Sequence, residues 1–222
     1  MNQWKIYNRL FLMIILMLIG SLESFAHTIN YALEKAPAGE VIGYYLKLGF
    51  RHILPDGLDH ILFVVGLCLL TNNLRSILWQ ATAFTVAHSI TLLLSMKNII
   101  IAPPAIVESV IALSILFIAI ENILLQKVKT SRIALVFIFG LIHGLGFASS
   151  LNEIGLPRDR FITSIISFNL GVEAGQIFVI AGVMTLLFLP FKKKEWYRKI
   201  IVIPLSLLIG GVALYWTVER MV

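Results

Sequence analysis

Charge is what this chain has least of. Asp, Glu, Lys and Arg make up 14% of its 222 residues, whereas a soluble globular domain carries about 25%. So little charge cannot clothe a water-exposed surface, and an ordinary soluble domain is excluded. Cysteine is nearly absent. Cys68 stands alone, which excludes an intramolecular disulfide and argues against a thiolate metal site or a copper(I) carrier. What the chain has in abundance is hydrocarbon. Hydrophobic residues reach 59%, and roughly 20 helical residues cross the ~30 Å core of a bilayer. Apolar runs lie at about 57–71, 78–96, 106–126, 132–150, 162–189 and 200–218. They predict an all-α, polytopic transmembrane helix bundle that forms a single domain over 27–222. The run from 57 is short for a span, and a helix starting near Val41 and bent at Pro55 would complete it.

Residues 1–26 read as a secretory signal. Lys5 and Arg9 form a basic start, Leu10 to Ile19 an apolar stretch, and Ser24-Phe25-Ala26 a small-residue cleavage motif. Cleavage leaves six helices and makes His27 the mature N-terminus; an uncleaved segment makes seven. The formal net charge is +6. Its placement points to membrane orientation and not to nucleic acid. With a cytoplasmic N-terminus, eleven Lys and Arg fall in inner segments and seven in outer ones, Arg132 being counted in the inner loop and none within the spans proper. This is the lysine and arginine bias of cytoplasmic loops. Residues 27–55, 97–105 and 151–161 are then expected outside, and 127–131 and 190–199 inside. The reading is of a multi-pass protein of a bacterial-type inner membrane, its mature N-terminus on the outer side.

Ionisable residues within or beside the apolar runs are Asp59, His60, His88, Glu108, Glu121, His143 and Glu173, with Asn122, Asn169 and Gln176. A charge at mid-bilayer costs about 3 kcal/mol on insertion scales, so such groups are expected to face one another or a wet cavity. At about 1.5 Å per residue, Asp59, His60 and Glu108 fall near the outer helix ends. His88, His143 and Asn169 fall roughly 10–12 Å deeper. Glu173 is one turn further in. Imidazole and carboxylate together suit a divalent cation, nickel or zinc above all. His60, His88 and His143 are expected to share a site. Glu121 and Asn122 lie toward the inner side, as a relay on a pathway with Asn169 and Gln176. Gly140-Leu-Ile-His-Gly144 and Gly171-Val-Glu-Ala-Gly175 are GxxxG packing motifs, expected to bring His143 and Glu173 into one pocket.

The strings Gly-Phe-Arg-His-Ile-Leu-Pro-Asp-Gly-Leu-Asp-His-Ile-Leu-Phe (49–63) and Phe-Thr-Val-Ala-His-Ser-Ile-Thr-Leu (84–92) resemble the HupE/UreJ family. So do Val-Glu-Ser-Val-Ile-Ala-Leu-Ser-Ile (107–115), Ile-Glu-Asn (120–122), Phe-Gly-Leu-Ile-His-Gly-Leu-Gly-Phe-Ala (139–148) and Phe-Asn-Leu-Gly-Val-Glu-Ala-Gly-Gln (168–176). The resemblance implies a membrane permease associated with hydrogenase and urease systems, proposed to move nickel or a related metal. Within its motifs fall His52, Asp56, Asp59, His60, His88, Glu108, Glu121, His143 and Glu173, with His52 and Asp56 as an entrance. The chain departs from some nickel carriers in having no long His-rich stretch. Two other functions fit the same residues: an intramembrane metal-dependent hydrolase, with a zinc-bound water as nucleophile, and a metal-binding accessory subunit. The enzyme is the less favoured reading. No partner beyond the lipid bilayer and the metal ion is implied.

Overall fold

A computed structural model describes residues 31–191 and 196–221. The signal segment 1–26 and His27 lie outside the described residues. Seven helices build the bundle: α1 (Ala38–Ile53), α2 (Leu58–Leu69), α3 (Leu74–Met96), α4 (Pro104–Leu124), α5 (Arg132–Ile154), α6 (Phe161–Val183) and α7 (Ile203–Met221). One-turn helices at Tyr31–Glu34, Arg158–Arg160 and Leu189–Phe191, and π-helical turns at Met184–Phe188 and Arg198–Val202, make the joints. No strand occurs among the described residues.

The helix ends follow local chemistry. Asn73 caps α3, its side-chain oxygen accepting from the Ser76 amide at 3.3 Å. Pro104 opens α4, where its missing N–H costs nothing. Gly155, at φ 78°, ends α5 in the left-handed region that glycine tolerates. Proline disfavours helical geometry in the residue before it, so α1 stops ahead of Pro55 and α2 restarts at Leu58 with a 68° bend. Neither piece spans a bilayer alone. Taken together as one bent pair they bring the candidate spans among the described residues from five to six, and α1 makes residues 38–53 helical.

Close backbone contacts set the pairing. A Cβ on Gly49 would fall 1.9 Å from the Phe168 carbonyl oxygen; further along, one on Gly171 would fall 2.1 Å from that of Leu46, and one on Gly175, a turn later on α6, 2.7 Å from Ile53 Cβ, later on α1. Thus α1 and α6 run side by side in the same direction. Gly140 and Gly144 meet the Phe84 and His88 carbonyls in the same way, so α3 and α5 are also parallel. Gly210 lies against Ala119, and Arg220 against Glu108, which makes α7 antiparallel to α4. The α2 helix sits at the centre, with His60, Phe63, Leu67 and Cys68 buried. Its Gly66 packs on Ile118 of α4. The two GxxxG motifs therefore have different partners, α3 and α1, and do not bring His143 and Glu173 into one pocket as expected. The outer faces are apolar. Trp79, Ile106, Phe178 and Leu208 are all more than half exposed, as lipid contact requires. The chain is a multi-pass α-helical membrane protein.

Candidate metal centre

The break between α1 and α2 builds the centre. It turns His52, at the end of α1, onto His60, in the first turn of α2, with ring centroids 4.6 Å apart. His88 comes in from the middle of α3. One ring nitrogen from each of His52, His60 and His88 lies within 4.8 Å of the other two. The Nε2 atoms of all three are buried and have no hydrogen-bond partner. Such an orphan is costly in a bundle core, and lone pairs gathered this way suit a cation.

On His60 and His88 the opposite nitrogen is engaged. His60 Nδ1 lies 2.9 Å from Asp59 Oδ1, which also accepts the His60 amide. A carboxylate can only accept, so the proton sits on Nδ1 and the lone pair on Nε2. His88 Nδ1 lies 3.3 Å from Asn169 Oδ1. The Asn169 amide donates at 2.8 Å to the Ile165 carbonyl, which fixes the amide's orientation and so gives His88 the same tautomer. Outer partners of this kind orient metal-binding histidines. Asp59 and Asn169 are thus supports to the imidazoles in this geometry.

His143, on α5, stands beside them, 4.9 Å from His60 between ring centroids. Its Nε2 meets Ser114 Oγ at 3.0 Å, and its Nδ1 has no hydrogen-bond partner. It lies outside the three-histidine group and beside the ion's expected position. A cavity of about 210 Å³ adjoins the centre, lined by His52, Asp59, His60, Glu108, His143 and Arg220 among others. Arg220 and Glu108 approach within 4.0 Å at its rim, both partly exposed. On the side of the centre toward Gly66, aromatic rings pack together. Phe63 and Phe84 are 5.1 Å apart, and His143 lies 4.9 Å from Phe84.

The remaining candidates are dispersed. Asp56 is exposed and pairs with Arg51 at 3.5 Å, so it stands apart from the cluster, and His52 lies within the cluster and not at an entrance. Glu173 accepts from Thr82 Oγ1 at 2.7 Å and faces an apolar groove between α3 and α6. Gln176 accepts from Thr85 Oγ1 at 2.9 Å. Glu121 and Asn122 lie far below, bound to Arg132. Arg132 is a correction: counted as a loop residue, it is 1% exposed and inside the bundle. Nothing in the pattern marked it, because it stands at the edge of an apolar run. Arg220 and Ser114 were also missed: Arg220 lies in none of the family-like strings, and Ser114 lies in one (107–115) but is not ionisable.

The family model for HupE/UreJ proteins matches residues 29–220. The chain belongs to the HupE/UreJ family. The match spans every helix of the bundle, so the centre lies within the family's own fold. Searches of curated proteins and of solved structures gave no significant match.

Proposed function

We propose that this HupE/UreJ protein is a membrane transporter of a divalent metal ion, nickel or a related cation, which it takes up from the outer side. The observation that carries the reading is that one ring nitrogen from each of His52, His60 and His88 converges within 4.8 Å, on three imidazoles that each keep a buried Nε2 with no hydrogen-bond partner. Neutral imidazole binds nickel, zinc and cobalt, and since ligand distances near 2.0–2.1 Å hold two nitrogens no more than about 4.2 Å apart, the rings draw together around a bound ion. Glu108 lines the adjoining cavity beside Arg220 and is partly exposed. The hydrolase reading needs a carboxylate free to activate water. Asp59 is engaged by His60, and Glu108 approaches Arg220, so transport is preferred.

The test pairs metal analysis of the purified protein with uptake of Ni²⁺ into sealed vesicles. Transport predicts saturable uptake. Single changes of His52, His60 or His88 to Ala should each weaken binding strongly, and doubles should cost less than the sum of singles, because ligands of one ion act as a unit. His143→Ala should affect binding less. Bound zinc with ester or amide hydrolysis and no uptake would transfer the assignment to the enzyme.

A further inference from the structure

The inner half of the bundle holds a charged network that the metal centre does not use. Arg132, the first residue of α5, turns its guanidinium into the protein. Its Nε lies 3.1 Å from Glu121 Oε2, and its Nη2 donates to Asn122 Oδ1 at 3.3 Å. Asn122 in turn donates at 2.8 Å to the Gly66 carbonyl of α2. Gly66 is six residues below His60, about 9 Å along a helix. The network therefore lies on the cytoplasmic side of the Phe63–Phe84 layer. Beyond it a cavity of about 640 Å³ opens at the inner face, lined by Lys127, Lys129, Ile133 and Arg198 among others.

Three features describe an oxygen-donor cation site here. Glu121 and Asn122 present a carboxylate and an amide oxygen one residue apart. Both sit in the last turn of α4, where the negative end of the helix dipole adds attraction for cations. A second guanidinium is drawn to the same end: Arg198 Nη2 donates at 2.9 Å to the Ile123 carbonyl. The occupant fits poorly. Arg132 Nη1 is buried and has no hydrogen-bond partner, so the oxygens supply fewer acceptors than a guanidinium requires. Arg132 also places its charge at the positive end of its own helix, where the dipole opposes it.

We propose that Glu121 and Asn122 form a second divalent-cation site on the inner half of the route, and that Arg132 fills it as a tethered cation until the travelling ion displaces it. This rests on the transport reading. It makes Arg132 a competitor: the exit stays charge-neutral and closed when no metal has arrived, and an ion leaving the histidines exchanges with the guanidinium before reaching the inner cavity.

Equilibrium dialysis of the full-length protein in detergent against Ni²⁺ tests it directly. The wild type is expected to bind one ion per chain. Arg132→Gln should bind two, and should still bind one when His60 and His88 are both Ala. Glu121→Gln combined with Arg132→Gln, a neutral pair of similar shape, should return to one ion and lose at least tenfold in vesicle uptake. A folded Arg132→Gln protein with one ion overturns the proposal, as does a neutral pair that transports like wild type. If Arg132→Gln does not fold, Arg132→Lys decides: it keeps the charge but not the two-point hold, and should admit the second ion at raised Ni²⁺, whereas one ion throughout overturns the proposal. A wild type that binds nickel but transports none removes the transport reading instead, and the ion count still judges the inner site.

Discussion

At the scale of single residues, the histidines depend on their neighbours as much as on their own ring nitrogens. Asp59 is partly exposed and touches no other helix in the contacts described, yet it decides which nitrogen of His60 is free. Asp59→Asn keeps the size and removes the charge that holds the Nδ1 proton. Metal affinity should fall about 10- to 100-fold, as for other outer partners of metal-binding histidines, with little change in melting temperature. Isothermal titration with Ni²⁺ checks it, and unchanged affinity would mean that His60 needs no orienting. Ser114→Ala supplies the contrast. It removes a partner of His143 alone and leaves the three ligands and their orienting partners in place, so nickel affinity should stay within about threefold. The residues themselves were legible in the sequence, because ionisable groups in apolar runs are conspicuous. Their grouping was less so. Depth counted along straight helices places His52 two turns away from His60, and only the break before Pro55 folds the two rings together.

At the scale of helices, close packing sets the centre's dimensions. Gly144 approaches α3 so nearly that an added Cβ would lie 2.3 Å from both the His88 carbonyl oxygen and Thr91 Oγ1. Gly182, on α6, has nothing within 4 Å of such a Cβ. Gly→Ala within a helix is worth about 0.5–1 kcal/mol in its favour, while overpacking a close contact costs about 1–3 kcal/mol. Gly182→Ala should therefore hold or raise the melting temperature in detergent. Gly144→Ala should lower it and weaken nickel binding too, because the turn it displaces carries His88. Equal melting temperatures for the two variants would contradict the close α3–α5 approach. The GxxxG motifs announced tight contacts, but a pattern of small residues on one helix does not name its partner. Gly49, which opposes Gly171, belongs to no such motif. Five candidate spans were legible because each run is long and apolar; the sixth rests on α1 and α2 taken as one bent pair. Arg132 was not, since a charge at the edge of a run reads as an anchor whether its side chain turns toward water or toward Glu121.

At the scale of the whole molecule, the direction of transport depends on which end of the bundle faces out. The helix directions settle the relative arrangement: α1 with α2, α4 and α6 run one way, and α3, α5 and α7 the other. The cavity beside the histidines and the segment around Ile101 then share one face, and the loop with Lys127 and Lys129 lies on the opposite face. Absolute orientation comes from charge. Short cytoplasmic loops retain Lys and Arg, and Lys127, Lys129 and Arg198 line the cavity at the second face, which the proposed function takes as the cytoplasmic one. Replacing the buried Cys68 by Ala clears the background for single-cysteine labelling. Ile101 is 80% exposed, and Glu40 and Lys129 are exposed as well. In intact cells an impermeant maleimide should label Ile101→Cys and Glu40→Cys, and should reach Lys129→Cys only after lysis. Labelling of Glu40→Cys matters most, because α1 enters the bundle beside α6 and in its direction. If α1 and α2 form one broken span, Glu40 shares the outer face with Ile101. If the whole bundle is inverted, Ile101→Cys and Glu40→Cys should label only after lysis and Lys129→Cys in intact cells. That result would put the histidines at the end of an inward-facing path and reverse the proposed direction of metal movement.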